Sequence, residues 1–258
     1  MTAFRTERSV RSDSSASGAF GPRFFRPYPA CAPAAVIEIV CATRAAAGDF
    51  PSATLLGRSL ARLAYDRRLV PRVACANARG LPEVYNERID AESPDDVLVF
   101  VHDDVWFDDF TIGDRLLAGL STWDVIGVAG NRRRLPGQPA WIFASDRYDV
   151  DRGHLSGAIA HGDPATGPVS WYGPAPAACE SLDGVLLAAR RSRLREAGVR
   201  FDPRYAFHYY DLDFCRTARE RGLTLGTWPI CLTHASAGAY DSPPWREARR
   251  AYRAKWGD

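Results

Sequence analysis

The chain has 258 residues, 46% of them apolar and 25% charged, the balance of an ordinary globular domain. Its 33 basic and 31 acidic residues leave a formal charge of +2, which gives no reason to expect nucleic acid as a partner. Lys255 is the only lysine, so a phosphate-cradling G-x-x-x-x-G-K-[ST] loop, a Schiff-base enzyme and an S-x-x-K acyl enzyme are all excluded, since each needs a lysine inside the fold.

Residues 1–34 are rich in Ser, Ala, Arg, Gly and Pro and lack apolar periodicity, which reads as a flexible tail. Glu7, Asp13 and the lack of an apolar core in that stretch argue against a targeting peptide. One domain is expected over residues 35–258. It opens with the β-rich run Val36 to Cys41, followed by a helix from about Ser52 to Asp66 that lines up Leu55, Leu56, Leu60 and Leu63. Val70 to Ala76 reads as a second strand, Pro82 to Asp90 as a short helix, and Val97 to Val101 as a strand that is apolar on both faces. A helix over Ile112 to Leu120 and a strand over Val125 to Ala129 complete a doubly wound α/β half, with right-handed crossovers setting the strands parallel.

Between Asn131 and Pro176 the sequence turns rich in Gly, Pro and aromatics and predicts loops with a short hairpin. Order returns with a strand over Leu182 to Ala188, helices over Arg190 to Ala197 and Asp211 to Arg221, and a last strand over Ile230 to Thr233. In the final helix, from about Pro244 to Lys255, Trp245, Ala248, Tyr252 and Trp256 make one apolar stripe. The six cysteines contain no C-x-x-C pair and read as buried thiols. No G-x-S-x-G, H-E-x-x-H or G-x-G-x-x-G string occurs, and no apolar run is long enough to span a bilayer, so a cytoplasmic protein is expected.

The residues that could carry chemistry sit at predicted strand and helix ends. His102-Asp103-Asp104 follows the most apolar strand, where ligands of open α/β sheets bind. Two adjacent carboxylates there repel unless compensated, so a hard divalent ion on phosphate oxygens is a sensible occupant, with a solvated helix-capping turn as the plain alternative. Asp211 falls in the first turn of its helix, where the dipole and free N–H groups favour an ionised carboxylate suited to act as a base, or simply a cap. Asp213 falls on another face, within reach of Arg216, and reads as structural. His234, at the end of the last strand, offers an imidazole to complete a metal site begun by Asp104, with His208 as a weaker rival. Asp183-Gly184 sets a carboxylate beside a backbone that a ligand can approach closely, and Trp171-Tyr172 offers rings of the kind that stack on sugars.

Taken in order, Val36 to Cys41 with Thr43-Arg44, Val101-His102-Asp103-Asp104, Asp183-Gly184, Tyr210-Asp211 and His234 resemble a GT-A glycosyltransferase of the family 2 type. The strings Arg79 to Asn86, Val97 to Trp106 and His208 to Arg216 resemble most the bacterial streptomycin-biosynthesis branch. The resemblance implies a GT-A α/β fold with a mostly parallel central sheet flanked by helices. It implies an inverting, metal-dependent transferase that moves a sugar from a nucleotide-diphosphate donor, with a UDP-sugar expected, to a hydroxyl of a saccharide, lipid-linked sugar or protein. In that scheme Asp104 binds Mn²⁺ or Mg²⁺, assisted by Asp103 and His234, and Asp211 is the catalytic carboxylate. Thr43, Arg44 and Asn77 lie near the base or ribose, and Asp183 with Gly184 near the donor sugar or acceptor. His102 replaces the first acid of D-x-D, Tyr210 stands where the usual pair has Glu, and Asn77 stands where many relatives have Asp. These departures motivate an alternative, a non-catalytic sugar- or nucleotide-binding module. A metal phosphohydrolase built on His102-Asp103 is disfavoured, because the additional His and Asp ligands of a two-metal site are missing.

Overall fold

The structure, a computed structural model, describes residues 35–93, 97–236, 238 and 240–258; the expected tail over residues 1–34 lies outside them. The chain begins with β1 (Ile37–Ala42), a one-turn α1 (Phe50–Ala53), α2 (Leu55–Arg62) and β2 (Leu69–Ala74). The single helix expected over residues 52–66 is thus two, divided at Thr54, whose extended backbone and hydroxyl cap α2 by accepting from Gly57 N–H at 2.9 Å. There follow α3 (Leu81–Asp90), β3 (Val97–Val101), β4 (Val105–Phe107), α4 (Ile112–Gly119), β5 (Val125–Gly127) and β6 (Ala129–Asn131). A hairpin of β7 (Leu155–His161) and β8 (Val169–Gly173) occupies the Gly- and Pro-rich stretch, as expected. The rest comprises β9 (Ala177–Ala178), β10 (Ser181–Leu182), β11 (Leu186–Arg190), α5 (Arg191–Glu196), α6 (Tyr210–Glu220), β12 (Leu225–Thr227), β13 (Leu232–His234) and α7 (Pro243–Trp256).

Two sheets organise these elements. The larger has the order β2-β1-β3-β11-β5-β12-β9. Five of its strands run one way, as expected, while β11 and the edge strand β9 run against them. β3 is buried at all five positions because it is covered on both faces, which its unbroken apolar run requires. Glu38 on β1 places a fully buried carboxylate inside this sheet, paired with Arg88 and Arg191. Burial works against its ionisation, but the two guanidiniums prevail and hold its carboxyl below the usual range.

The second sheet has the order β10-β6-β7-β13-β4, with β8 added on β7. The strand expected over residues 125–129 is shared between the sheets: β5 belongs to the first, β6 to the second, and the chain crosses over at Val128. The stripe on α7 packs as expected, with Trp245 and Tyr252 buried and Ala248 and Trp256 against the same core. Of the cysteines described, Cys41, Cys179 and Cys215 are buried as expected, Cys75 is half-buried, and Cys231 is exposed. No helix among the described residues is long and apolar enough to cross a membrane.

Candidate active site

Strand pairing gathers the chemically distinctive residues at one end of the two sheets. β3 pairs antiparallel with β11, in a register that extends to His102 N–H and the Val185 carbonyl at 3.4 Å, and so brings His102 beside Gly184. β13 pairs antiparallel with β4, placing His234 opposite Val105. The Ala235 N–H then reaches the Asp104 carbonyl at 3.0 Å, and His234 Nε2 lies 3.2 Å from Asp104 Oδ1.

His102, Asp104 and His234 each offer one ligand atom within 4.8 Å of the others, a spacing that a single cation spans. The carboxylate suits a hard divalent ion such as Mn²⁺, and the two imidazoles suit borderline ions such as Fe²⁺ or Zn²⁺. Burial opposes ionisation of Asp104, but hydrogen bonds from His234 and Ser236 hold its carboxyl well below the usual range. For His102 burial is the larger cause, with the neighbouring His234 second, and both favour the neutral, ligand-competent ring. Asp103 faces elsewhere: its Oδ2 accepts from Thr43 Oγ1 at 2.6 Å. Asn77 N–H donates to the Thr43 carbonyl at 2.9 Å, so Thr43, Asn77 and Asp103 adjoin one another at the ends of β1, β2 and β3. Arg44 is next to them in the chain and exposed.

Beside the His102-Asp104-His234 cluster opens a cavity of about 640 Å³, within the range of small-molecule sites. Four of the five histidines line it, His102, His161, His208 and His234, together with Asp183, Gly184, Tyr172 and Asp211. Asp211 is held at the start of α6, where Oδ2 accepts from Gly184 N–H at 3.1 Å and Oδ1 from Leu212 N–H at 2.9 Å. These amide contacts are the ones that favour an ionised carboxylate, yet burial and then the charge of Asp183 outweigh them and raise its pKa to about 7. The sequence expectation of a plainly ionised group is corrected to a proton-exchanging one.

The backbone that delivers Asp211 is strained. Tyr209, the residue before α6, has φ +66°, a left-handed conformation that costs a non-glycine residue about 1–2 kcal/mol. Its ring is clamped against Trp245 and Tyr252 of α7. Gly184 is required opposite: a Cβ there would meet the Tyr210 hydroxyl and Asp211 Cβ.

Asp183 accepts from Val185 N–H and from Trp141 Nε1, both at 2.8 Å. Trp141 comes from the loop that joins β6 to β7 within the second sheet, and Tyr172 packs edge-on against it. Trp171, next in the chain to Tyr172, points to the opposite side of β8, 70% exposed, into a separate groove shared with Trp228. Asp213 is structural as expected, but its partners are Lys255 Nζ at 2.7 Å and Trp256 Nε1 at 2.8 Å, whereas Arg216 pairs with Asp258. The one lysine therefore does enter the fold, as an ion-pair partner away from the cavity lining. Sequence reasoning missed Trp141, His161, Tyr240 and Trp245 as lining residues; each comes from a loop or element whose relation to the site is set only by tertiary closure.

No protein-family model matches the chain, and no curated protein matches it. Solved structures do. GalNAc-T7 with UDP, GalNAc and Mn²⁺ superposes with a TM-score of 0.50 at 11% identity, over 88% of this chain and 49% of that one. A mannosyltransferase, PcManGT from Pyrobaculum calidifontis, with GDP-Man and Mn²⁺, gives 0.44 at 15% identity over 90% and 65%. The catalytic domain of Drosophila beta1,4galactosyltransferase 7 with xylobiose gives 0.44 at 10% over 84% and 79%. The chain spans about half the length of GalNAc-T7.

Proposed function

The fold is the GT-A fold of the nucleotide-sugar glycosyltransferases, and from it we propose that this chain is a glycosyltransferase that uses Asp211 as general base. The reading also takes up the family 2 type and the streptomycin-biosynthesis branch that the motif order resembles. One observation carries it: a buried carboxylate with its pKa raised to about 7 lines the same cavity as His102 and His234, the two imidazoles that cluster with Asp104. General bases work best with a pKa near the operating pH.

In this scheme the donor's nucleotide lies along Thr43, Arg44, Asn77 and Asp103, and the acceptor enters the aromatic cavity bounded by Trp141 and Tyr172. His102, Asp104 and His234 would hold Mn²⁺ or Mg²⁺, with Asp103 close by. Such an ion neutralises charge growing on a departing nucleotide diphosphate. Asp211 removes the acceptor hydroxyl proton as that oxygen forms its bond to the anomeric carbon. The bond from that carbon to the diphosphate oxygen breaks, and its electron pair leaves with the nucleotide. Attack from the face opposite the leaving group inverts the anomeric centre. Asp183, oriented by Trp141, contacts the sugar and can accept from its hydroxyls, and Gly184 leaves the backbone bare where the sugar approaches.

The first test is thermal-shift binding of nucleotide diphosphates and nucleotide sugars with and without Mn²⁺, on the native chain and on Asp104→Ala. A metal-dependent shift for one nucleotide, lost in the variant, is expected, with UDP the leading base. No shift with any nucleotide overturns the reading. Where a donor binds, a product of inverted configuration separates a transferase from a non-catalytic binding module.

A further inference from the structure

The two residues that depart most from the expected pattern, His102 and Tyr210, touch each other. His102 Nε2 lies 2.9 Å from the Tyr210 hydroxyl oxygen. That hydroxyl lies 2.7 Å from the Gly184 carbonyl oxygen and donates its only proton there. A carbonyl has nothing to give back, so the remaining contact of the Tyr210 oxygen must be received from His102. The imidazole then carries its proton on Nε2 and keeps its lone pair on Nδ1.

We propose that Tyr210 is a positioning residue for the metal site: held by the Gly184 carbonyl, its hydroxyl locks His102 in the tautomer that leaves Nδ1 free to bind a divalent cation together with Asp104 and His234. The inference rests on the metal-binding reading of that cluster. It also explains the pair of departures as one device. A carboxylate at position 210 could accept from His102, but it has no proton for the Gly184 carbonyl and would set two acceptors against each other. A phenol does both. Tyr210 is only 3% exposed, so water does not replace either partner, and the missing Cβ of Gly184 is what lets the hydroxyl come so near. A ligating histidine whose second ring nitrogen is held in this way keeps both its tautomer and its orientation.

The test compares the native chain with Tyr210→Phe, which keeps the ring and removes the hydroxyl. Ring ¹⁵N shifts of His102 in the metal-free protein report the tautomer directly, and Mn²⁺ titration followed by electron paramagnetic resonance reports affinity. The native chain is expected to show the Nε2–H form, and Tyr210→Phe a tautomer mixture with Mn²⁺ affinity lower by roughly 10- to 100-fold. A purely structural role for Tyr210 would move the unfolding midpoint without changing the tautomer. An Nδ1–H form in the native chain overturns the proposal even if the variant does not fold, and so does unchanged Mn²⁺ affinity in a folded variant. Failure of the native chain itself to take up Mn²⁺ is a different result: it removes the metal-site reading, and the ligand role of His102 with it.

Discussion

Asp211 and Asp213 stand two residues apart in the first turn of the same helix, and burial raises the pKa of both. Their surroundings then diverge. Asp213 is fully buried but meets an ammonium and an indole N–H, so its charge is answered by Lys255 and Trp256 on the α7 side. Asp211 turns to the cavity, receives backbone amides but no cation among the described residues, and faces the like charge of Asp183. A helix start favours carboxylates in general; what distinguishes structural from reactive ones here is whether the fold supplies a counter-charge.

The sharpest way to break this contrast is to neutralise each carboxylate in turn. Asp211→Asn is expected to lower turnover by about 10²- to 10⁴-fold while nucleotide-sugar affinity is retained, as for loss of a general base. Steady-state rates beside donor-binding isotherms decide this, and full turnover in the variant removes Asp211 from the mechanism. Asp213→Asn should do the reverse. Losing a charged hydrogen bond to Lys255 costs about 1–3 kcal/mol, a fall in Tm of roughly 2–4 °C for each, with turnover per folded molecule preserved.

A pH series sharpens the same comparison. In the proposed role as general base Asp211 acts as the carboxylate, so kcat/KM should rise with pH up to about 7 and level off above it. Stability runs the other way. The folded-state pKa is raised, so the native chain holds an extra proton between the unfolded value near 3.8 and about 7; stability falls across that window, and the cost is complete above it. Asp211→Asn should therefore gain Tm relative to the native chain as pH rises from about 4 to 8, by roughly 2–4 °C per kcal/mol relieved. Asp183→Asn should shift the kinetic inflection to lower pH, because the charge of Asp183 is the second cause of the raised pKa after burial. An inflection that stays in place would assign the shift to burial alone.

Much of this was legible in the sequence, for reasons that differ by element. Val97 to Val101 declares itself, since only a doubly covered strand tolerates five apolar residues in a row, and the residues after it inherit the strand-end position. β4, β9 and β12 were hidden because two or three residues are too few for a period of two to register, and the strand expected over Leu182 to Ala188 is split, Leu182 ending β10 in the second sheet and β11 starting at Leu186 in the first. At the candidate site, His102, Asp104, Asp211 and His234 stand out in the sequence because each lies at or beside the end of a regular element. Their mutual contacts were not visible: the hydrogen bond between His102 and Tyr210 spans 108 positions, and Trp141 reaches Asp183 from a loop without periodicity. The chemical types were readable; the register of β11 on β3 and of β13 on β4, which makes them neighbours, was not.

Trp171 and Tyr172 repeat on a strand what Asp211 and Asp213 do on a helix. They are adjacent, both aromatic, and equally attractive as sugar-stacking rings, but alternation along β8 sends them to opposite faces. Tyr172 meets Trp141 beside Asp183 in the cavity, while Trp171 stands in the outer groove. An aromatic platform removed from a sugar site costs about 1–2 kcal/mol of binding, so Tyr172→Ala should raise acceptor KM by roughly 5- to 30-fold with a smaller effect on kcat. Trp171→Ala should leave KM for a short acceptor near its native value, because the ring cannot reach the cavity without breaking the pairing of β8 with β7. Equal losses in the two variants would mean that the acceptor wraps the sheet edge and occupies both faces, and the division between a reactive and a structural side would then hold for α6 but not for β8.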